Sequence, residues 1–375
     1  MRINRLFCFV MFALLFFSCK KENNNETAKV FNPHFSNPQA ILLQIKDAPK
    51  NASKSSVSTV AGTANLFQLD GGGNISPIVD SVNVTNVVSF SNGLILTLDN
   101  NDRYIVYLDN TFFKLPSSFE ADLKGENENG DLVFSDVSII RRFSQEITKL
   151  QTTLTNPSVQ SMSGNFAIIH GGSVFQIFNT VTNERYNVND CNGPVMVALN
   201  KYKALINDCQ GNALITMANG QRVNADVSMW NGEHLYLKDG AAIMNQGTGI
   251  QDQSMYGLGI VDIMGRLTII CNDGFKPGSS ACMNCGAENA VLFAYGDYFI
   301  IRELDKISVV KRGILTKKVI LSGYNVTSVS VNADKVFFIA EDNLGKRKAG
   351  IYSLVTDITT ILDSQVQFDR VLTIR

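Results

Sequence analysis

Val329-Ser-Val-Asn-Ala-Asp-Lys-Val336-Phe-Phe-Ile-Ala340 reads as a half-apolar strand, a turn at Asn332 to Asp334, and then an unbroken apolar strand. A strand with one face in water alternates apolar and polar residues, so the run Val336 to Ala340 needs cover on both faces. The same form recurs upstream. Asn86-Val-Val-Ser-Phe-Ser-Asn-Gly93 precedes Leu94-Ile-Leu-Thr-Leu98, Val159-Gln-Ser-Met-Ser-Gly-Asn165 precedes Phe166-Ala-Ile-Ile169, and Val195-Met-Val-Ala-Leu-Asn200 precedes Tyr202-Lys-Ala-Leu-Ile206. Val227 to Glu233 leads likewise into His234-Leu-Tyr-Leu237, and Val291 to Gly296 into Tyr298-Phe-Ile-Ile301. Two more short strands follow each pair. Gly, Asn and Asp punctuate the chain every few residues, and no segment sustains a 3.6-residue apolar period, so the class is all-β.

The fourth strand of each unit is expected to start near Ile75, Phe112, Ile147, Arg185, Arg222, Arg266, Lys317 and Ile358. Four strands recurring about every 40 residues mark the blades of a β-propeller. The expected fold is a ring of eight four-stranded blades, with seven as the alternative count. The start of the domain supplies strands at Ala40 to Lys46, Leu66 to Leu69 and Ile75 to Val79 but no innermost one, and Phe368 to Ile374 is expected to provide it and close the ring.

The chain opens with Arg2 and Arg5, an apolar run from Leu6 to Phe17, then Ser18 and Cys19. This is a signal peptide, since about 20 apolar residues are needed to span a bilayer and Lys20, Lys21 and Glu22 follow at once. Leu15-Phe-Phe-Ser-Cys19 resembles the lipobox of bacterial lipoproteins. The resemblance implies a discarded signal over residues 1–18, lipid and palmitate on Cys19, and anchoring in the cell envelope. Lys20, where that family places Asp for inner-membrane retention, implies the outer membrane. Residues 19–38, rich in Asn, Lys, Glu and Pro, read as a flexible tether some ~25 Å long, and 39–375 as the propeller domain. The blade Val329 to Phe338, with Ile351-Tyr-Ser-Leu-Val-Thr-Asp-Ile358 after it, is similar to blades of TolB-like and YncE-like bacterial propellers, a likeness that implies fold and not function.

In such a ring the connections from second to third strand and from one blade to the next emerge on one face. Asp239 to Ser254 reads as an insertion of the first kind and Asn272 to Glu288 as a long connection of the second, and binding usually sits on such loops. His170, Asp190, Asp208, Asp239 and Asp273 are the polar candidates on this face. Cys191 ends a fourth strand and Cys209 the next second strand, which makes them disulfide candidates in an oxidising compartment. Cys271, Cys282 and Cys285 are the others: a disulfide from Cys271 to one of the latter two, or three thiolates of a zinc site, both fit the spacing.

Catalytic signals are sparse. The three histidines, His34, His170 and His234, show no metal-ligand spacing, and Gly-x-Ser-x-Gly and phosphate-cradling glycine loops are missing. Asp99 to Asp102 and Glu126 to Asp131 have the composition of calcium loops but read as turn chemistry. No catalytic residue, metal site or cofactor is assigned. The net charge of −1, evenly mixed, argues against a nucleic-acid partner. Two functions follow: a membrane-tethered binding or scaffold module for an envelope protein or glycan, or a lyase or hydrolase working in the central funnel.

Overall fold

The computed structural model describes residues 31–46, 59–79, 83–188, 194–225, 233–237, 239–244, 257–271, 291–303, 305–362, 364, 366–372 and 374. Among them the secondary structure is β throughout, and the strands sort into eight antiparallel four-stranded blades. Blade 2 is Val84–Phe90, Gly93–Leu98, Arg103–Tyr107 and Phe112–Lys114; blade 4 is Ser158–Ser163, Phe166–Gly171, Val174–Asn179 and Arg185–Val188; blade 5 is Val195–Ala198, Lys203–Asp208, Gly211–Thr216 and Gln221–Asn224. Blade 7 is Val291–Tyr295, Tyr298–Arg302, Lys306–Lys311 and Lys318–Ser322, and blade 8 is Asn325–Asn332, Lys335–Glu341, Arg347–Ser353 and Ile358–Ile361. First strands of successive blades stand side by side from blade 2 to blade 8. The expected eight blades are what the chain forms, and the fourth strands begin within one residue of the expected positions.

Why the second strands are continuously apolar is visible in the packing. In blade 8, Val336, Phe338 and Ala340 join Phe293, Ile300 and Val309 of blade 7, while Phe337 and Ile339 join Ala40, Leu42 and Val371 of blade 1. In blade 4, Phe166 and Ile168 pack on blade 5, and Ala167 and Ile169 pack on blade 3. Alternation still operates, but both sides of the strand are buried between neighbouring blades. The core is therefore a series of layers between blades. Within blade 8 the Phe338 ring lies over its paired residue Gly350, where a Cβ would sit 2.2 Å from the ring.

Blade 1 is composite. Arg370–Leu372 is its innermost strand, pairing antiparallel with Ala40–Ile45 in the register Leu42↔Val371, as the ring-closure expectation required. Its third strand, Thr59–Leu69, is longer than expected and divides its pairing. Phe67 to Leu69 pair with Ile75 to Pro77, whereas Thr59 and Ala64 pair with Asn86 and Val84 of the innermost strand of blade 2. One strand thus stitches two blades into a single sheet. The compact unit runs from Pro33 to Arg375. Its first residues are fastened to it, with Phe35 exchanging backbone hydrogen bonds with the Asn110 side chain and Ser36 N–H donating to Gln68 Oε1.

Blade 6 corrects one assignment. Its innermost strand is Glu233–Leu237 and its second Gly240–Met244, so His234 lies one strand further in than expected. The turn between them closes at the Leu237↔Gly240 pair and contains Asp239. Gly240 has φ +158°, which is extended backbone, but a Cβ there would lie 2.4 Å from the Val261 carbonyl oxygen, so the position demands glycine. Asp239 consequently belongs to a turn between first and second strands, on the opposite face from the one expected. The insertion between second and third strands is residues 245–257.

Candidate functional site

Antiparallel order assigns every connection to one of two faces. Residues 46–58 and 245–257 join second to third strands, and 272–290 joins blade 6 to blade 7, so the three longest connections share a face. Turns of the other face are short, the longest of them spanning residues 141–146 and 312–317. The candidate site is the long-connection face.

Two of the expected polar residues are described there. His170 is the penultimate residue of the second strand of blade 4, half-buried, with its ring centroid 4.7 Å from that of Phe175 on the neighbouring strand. The connection from blade 3 presses on the same strand end, where a Cβ on Gly171 would lie 2.6 Å from Leu154 Cβ. Asp208 closes the second strand of blade 5. Its two carboxylate oxygens accept from the Arg222 guanidinium at 2.6 and 2.9 Å, and Oδ1 also accepts from Gln210 N–H at 2.9 Å. Arg222 stands on the fourth strand, so the pair staples the second strand to the fourth across the third. Hydrogen bonding to Asp208 holds the guanidinium above its ordinary pKa. His170 and Asp208 are thus each engaged within their own blade. Cys209 follows Asp208 at the turn, exposed, and Cys271 ends the fourth strand of blade 6 fully buried against Leu258, Ile270, Leu292 and Phe299. Cys19, Asp190, Cys191, Asp273, Cys282 and Cys285 lie outside the described residues.

Sequence reading missed Glu303. It sits in the turn between second and third strands of blade 7, its side chain fully buried, where Ser308 Oγ–H donates at 2.9 Å and Lys317 Nζ at 3.3 Å. Lys306 Nζ stands 3.6 Å from its other oxygen. An acid followed by Lys306 in a strand-ending turn was the available signal.

The acidic run Glu126 to Asp131 lies on the short-turn face of blade 3, in the turn between its first two strands, Leu123–Glu126 and Leu132–Phe134. Asn127 Oδ1 accepts from the N–H groups of Asn129 and Asp131 at 3.0 Å each, the turn chemistry expected of it. Asp131 then receives Arg141 Nη1 at 2.7 Å and Arg142 N–H at 3.1 Å. Arg142 reaches Asp109 at 2.8 Å and lies 4.0 Å over the Tyr107 ring. Burial pushes the Tyr107 hydroxyl up to about 12, so it stays protonated at neutral pH. Asp131 and Asp109 each meet an arginine, while Glu126 accepts from Ser91 N–H at 2.9 Å and from Asn92 Nδ2 at 2.5 Å, an arrangement that fixes loops. Among the described residues, no group of three or more His, Cys, Asp or Glu side chains is placed to hold a metal ion.

No family model matches the chain, and no curated protein matches its sequence. Solved structures do resemble it. Apo AztD from Citrobacter koseri is 10% identical with a TM-score of 0.48, over 89% of this chain and 97% of that one. The dihydro-heme d1 dehydrogenase NirN in complex with DHE is 10% identical with a TM-score of 0.41, over 93% of this chain and 77% of that one. TolB from Acinetobacter baumannii is 10% identical with a TM-score of 0.32, over 76% of this chain and 81% of that one.

Proposed function

We propose that this propeller is a lipid-anchored binding module of the cell envelope, whose long-connection face docks a protein or glycan partner. The observation that carries the reading is the gathering of connections 46–58, 245–257 and 272–290 on one face of a ring whose other turns are short. Variable loops on a rigid scaffold create a recognition surface without altering the fold. The use of Asp208 and Glu303 in ion pairs supports recognition over acid-base chemistry at those positions.

The anchor in this reading is lipid on Cys19, followed by the Asn-rich and Lys-rich stretch, in the outer membrane. A disulfide between Cys191 and Cys209 would tie the connection between blades 4 and 5 to the adjacent turn, a closure contributing about 3 kcal/mol by the chain-entropy estimate.

The test is capture from native membranes by the full chain and by a variant with residues 246–256 replaced by a short Gly-Ser linker. The intact chain should retain a specific partner and the folded variant should lose most of it. Equal recovery by both, or no partner under several envelope conditions, overturns the docking reading. Failure of C19S to leave the membrane fraction overturns the anchor.

A further inference from the structure

Exposed apolar side chains are ordinary on any protein surface when they stand singly. Here they recur at one structural position. The turn from third to fourth strand of blade 7 carries Ile314 and Leu315 at its tip, 50% and 53% exposed. The equivalent turn of blade 6 carries Ile263 and Met264, the latter 60% exposed, and that of blade 8 carries Val355, 75% exposed. The same turns of blades 1, 2 and 5 are tipped instead by Gly71 to Gly73, by Asp109 and Asn110, and by Ala218 to Gly220. Blade 3 adds Phe143, almost fully exposed. All are turns of the short-turn face.

These tips are held in place. Ile314 N–H donates to the Lys311 carbonyl at 2.9 Å, with Gly313 at φ +84° supplying the bend. Met264 and Arg266 N–H both donate to Asp262 Oδ1, at 2.8 and 2.9 Å. Around the blade 7 tip the sequence is Lys311-Arg-Gly-Ile-Leu-Thr-Lys-Lys318, four cations and no acid. Lys318 pairs with Asp357 of blade 8, and Lys317 is turned inward to Glu303. Lys311 and Arg312 are exposed, and the nearest carboxylate to Arg312 is Asp297 at 3.9 Å.

We propose that the short-turn face of blades 6 to 8 docks on an anionic membrane surface, inserting Ile314 and Leu315 while Lys311 and Arg312 engage lipid headgroups. Apolar tips on three successive blades, separated by polar ground, match a flat apolar layer. A protein partner would call for a continuous patch or a groove. Basic residues flanking apolar ones suit the boundary between anionic headgroups and acyl chains. Docked this way, the ring turns its long-connection face away from the bilayer and towards a partner. The inference rests on the membrane attachment proposed above.

The full lipidated chain, bound to vesicles, would carry a fluorescent amino acid in place of Leu315 or, as control, of Leu344 on the other face of blade 8. With about one-third anionic lipid, brominated acyl chains should quench the probe at 315 at least about twofold and leave that at 344 unchanged. K311E with R312E should abolish the quenching without releasing the chain. Retention on vesicles with no quenching at 315, or with quenching at 344 instead, overturns the proposal while sparing the anchor. If vesicles fail to retain the chain at all, both fall. A response at 315 that needs added envelope protein rather than lipid also overturns it.

Discussion

Blade 8 and blade 1 lie side by side and are built in opposite ways. Blade 8 folds from one uninterrupted stretch, Asn325 to Ile361, each strand pairing with the next along the chain. Blade 1 takes its innermost strand from Arg370–Leu372 and its second from Ala40–Ile45, and lends half of its third to blade 2. A consecutive blade needs only hairpins, whereas the composite one must bring together segments more than 300 residues apart at a large loop-closure cost. The difference is offset by polar clamps at the seam. Ser328 Oγ donates to the Val371 carbonyl at 2.7 Å and accepts from Val371 N–H at 3.0 Å. Asp369 accepts from Ile45 N–H at 2.6 Å and is paired with Arg347 of blade 8. Asn332 Nδ2 donates to the Gln39 carbonyl at 3.0 Å.

The harshest way to break the comparison is to remove the seam. Deleting residues 366–375 takes away Phe368, Val371, Leu372 and Ile374, all buried, and leaves Ala40–Ile45 with a bare strand edge. Four such side chains represent several times the 1.5–3 kcal/mol assigned to one, roughly the whole margin of a folded domain, so the truncated chain should not melt cooperatively. A soluble truncation with a single sharp calorimetric transition would show that closure is dispensable.

Within blade 8 the expected effect is large but survivable. Phe338 is fully buried against Gly350 and the blade 7 layer, and Phe338→Ala should cost about 3–5 kcal/mol in denaturant unfolding. A loss below about 1 kcal/mol would mean that the layer collapses into the gap.

Much of this was legible in the sequence, and the particular residues say why. Val336 to Ala340 announced burial on two faces because no other sheet environment tolerates such a run. The C-terminal strand was legible because eight blades left one innermost position unfilled. Blade 6 misled: its second strand, Gly240-Ala-Ala-Ile-Met244, is built of small residues, so the more apolar His234 to Leu237 took its place in the count. The pairing of Thr59 with blade 2 had no local signal, since register across blades is set by the ring and not by hairpin chemistry. At the site, Asp208 and His170 were found on the expected face, but the use of Asp208 by Arg222 depends on two strands meeting at one radius. Glu303 was missed because burial of an acid is paid for by lysines that sequence alone does not bring together.

The finest test of the seam uses two serines of one strand. Ser328 and Ser330 both belong to Asn325–Asn332, and their hydroxyls have different fates. Ser328 satisfies both backbone groups of Val371 on the closing strand, so Ser328→Ala should lose about 1–3 kcal/mol by leaving them buried and unmet. Ser330 is fully buried, and its Oγ meets no hydrogen-bond partner among the described residues. Ser330→Ala removes a hydroxyl that has been desolvated without return, so the variant should be unchanged in stability or gain up to about 1 kcal/mol. Equal losses at the two positions would mean that the seam is held by apolar packing alone, and that the polar clamp at Ser328 contributes no more to closure than an alanine would.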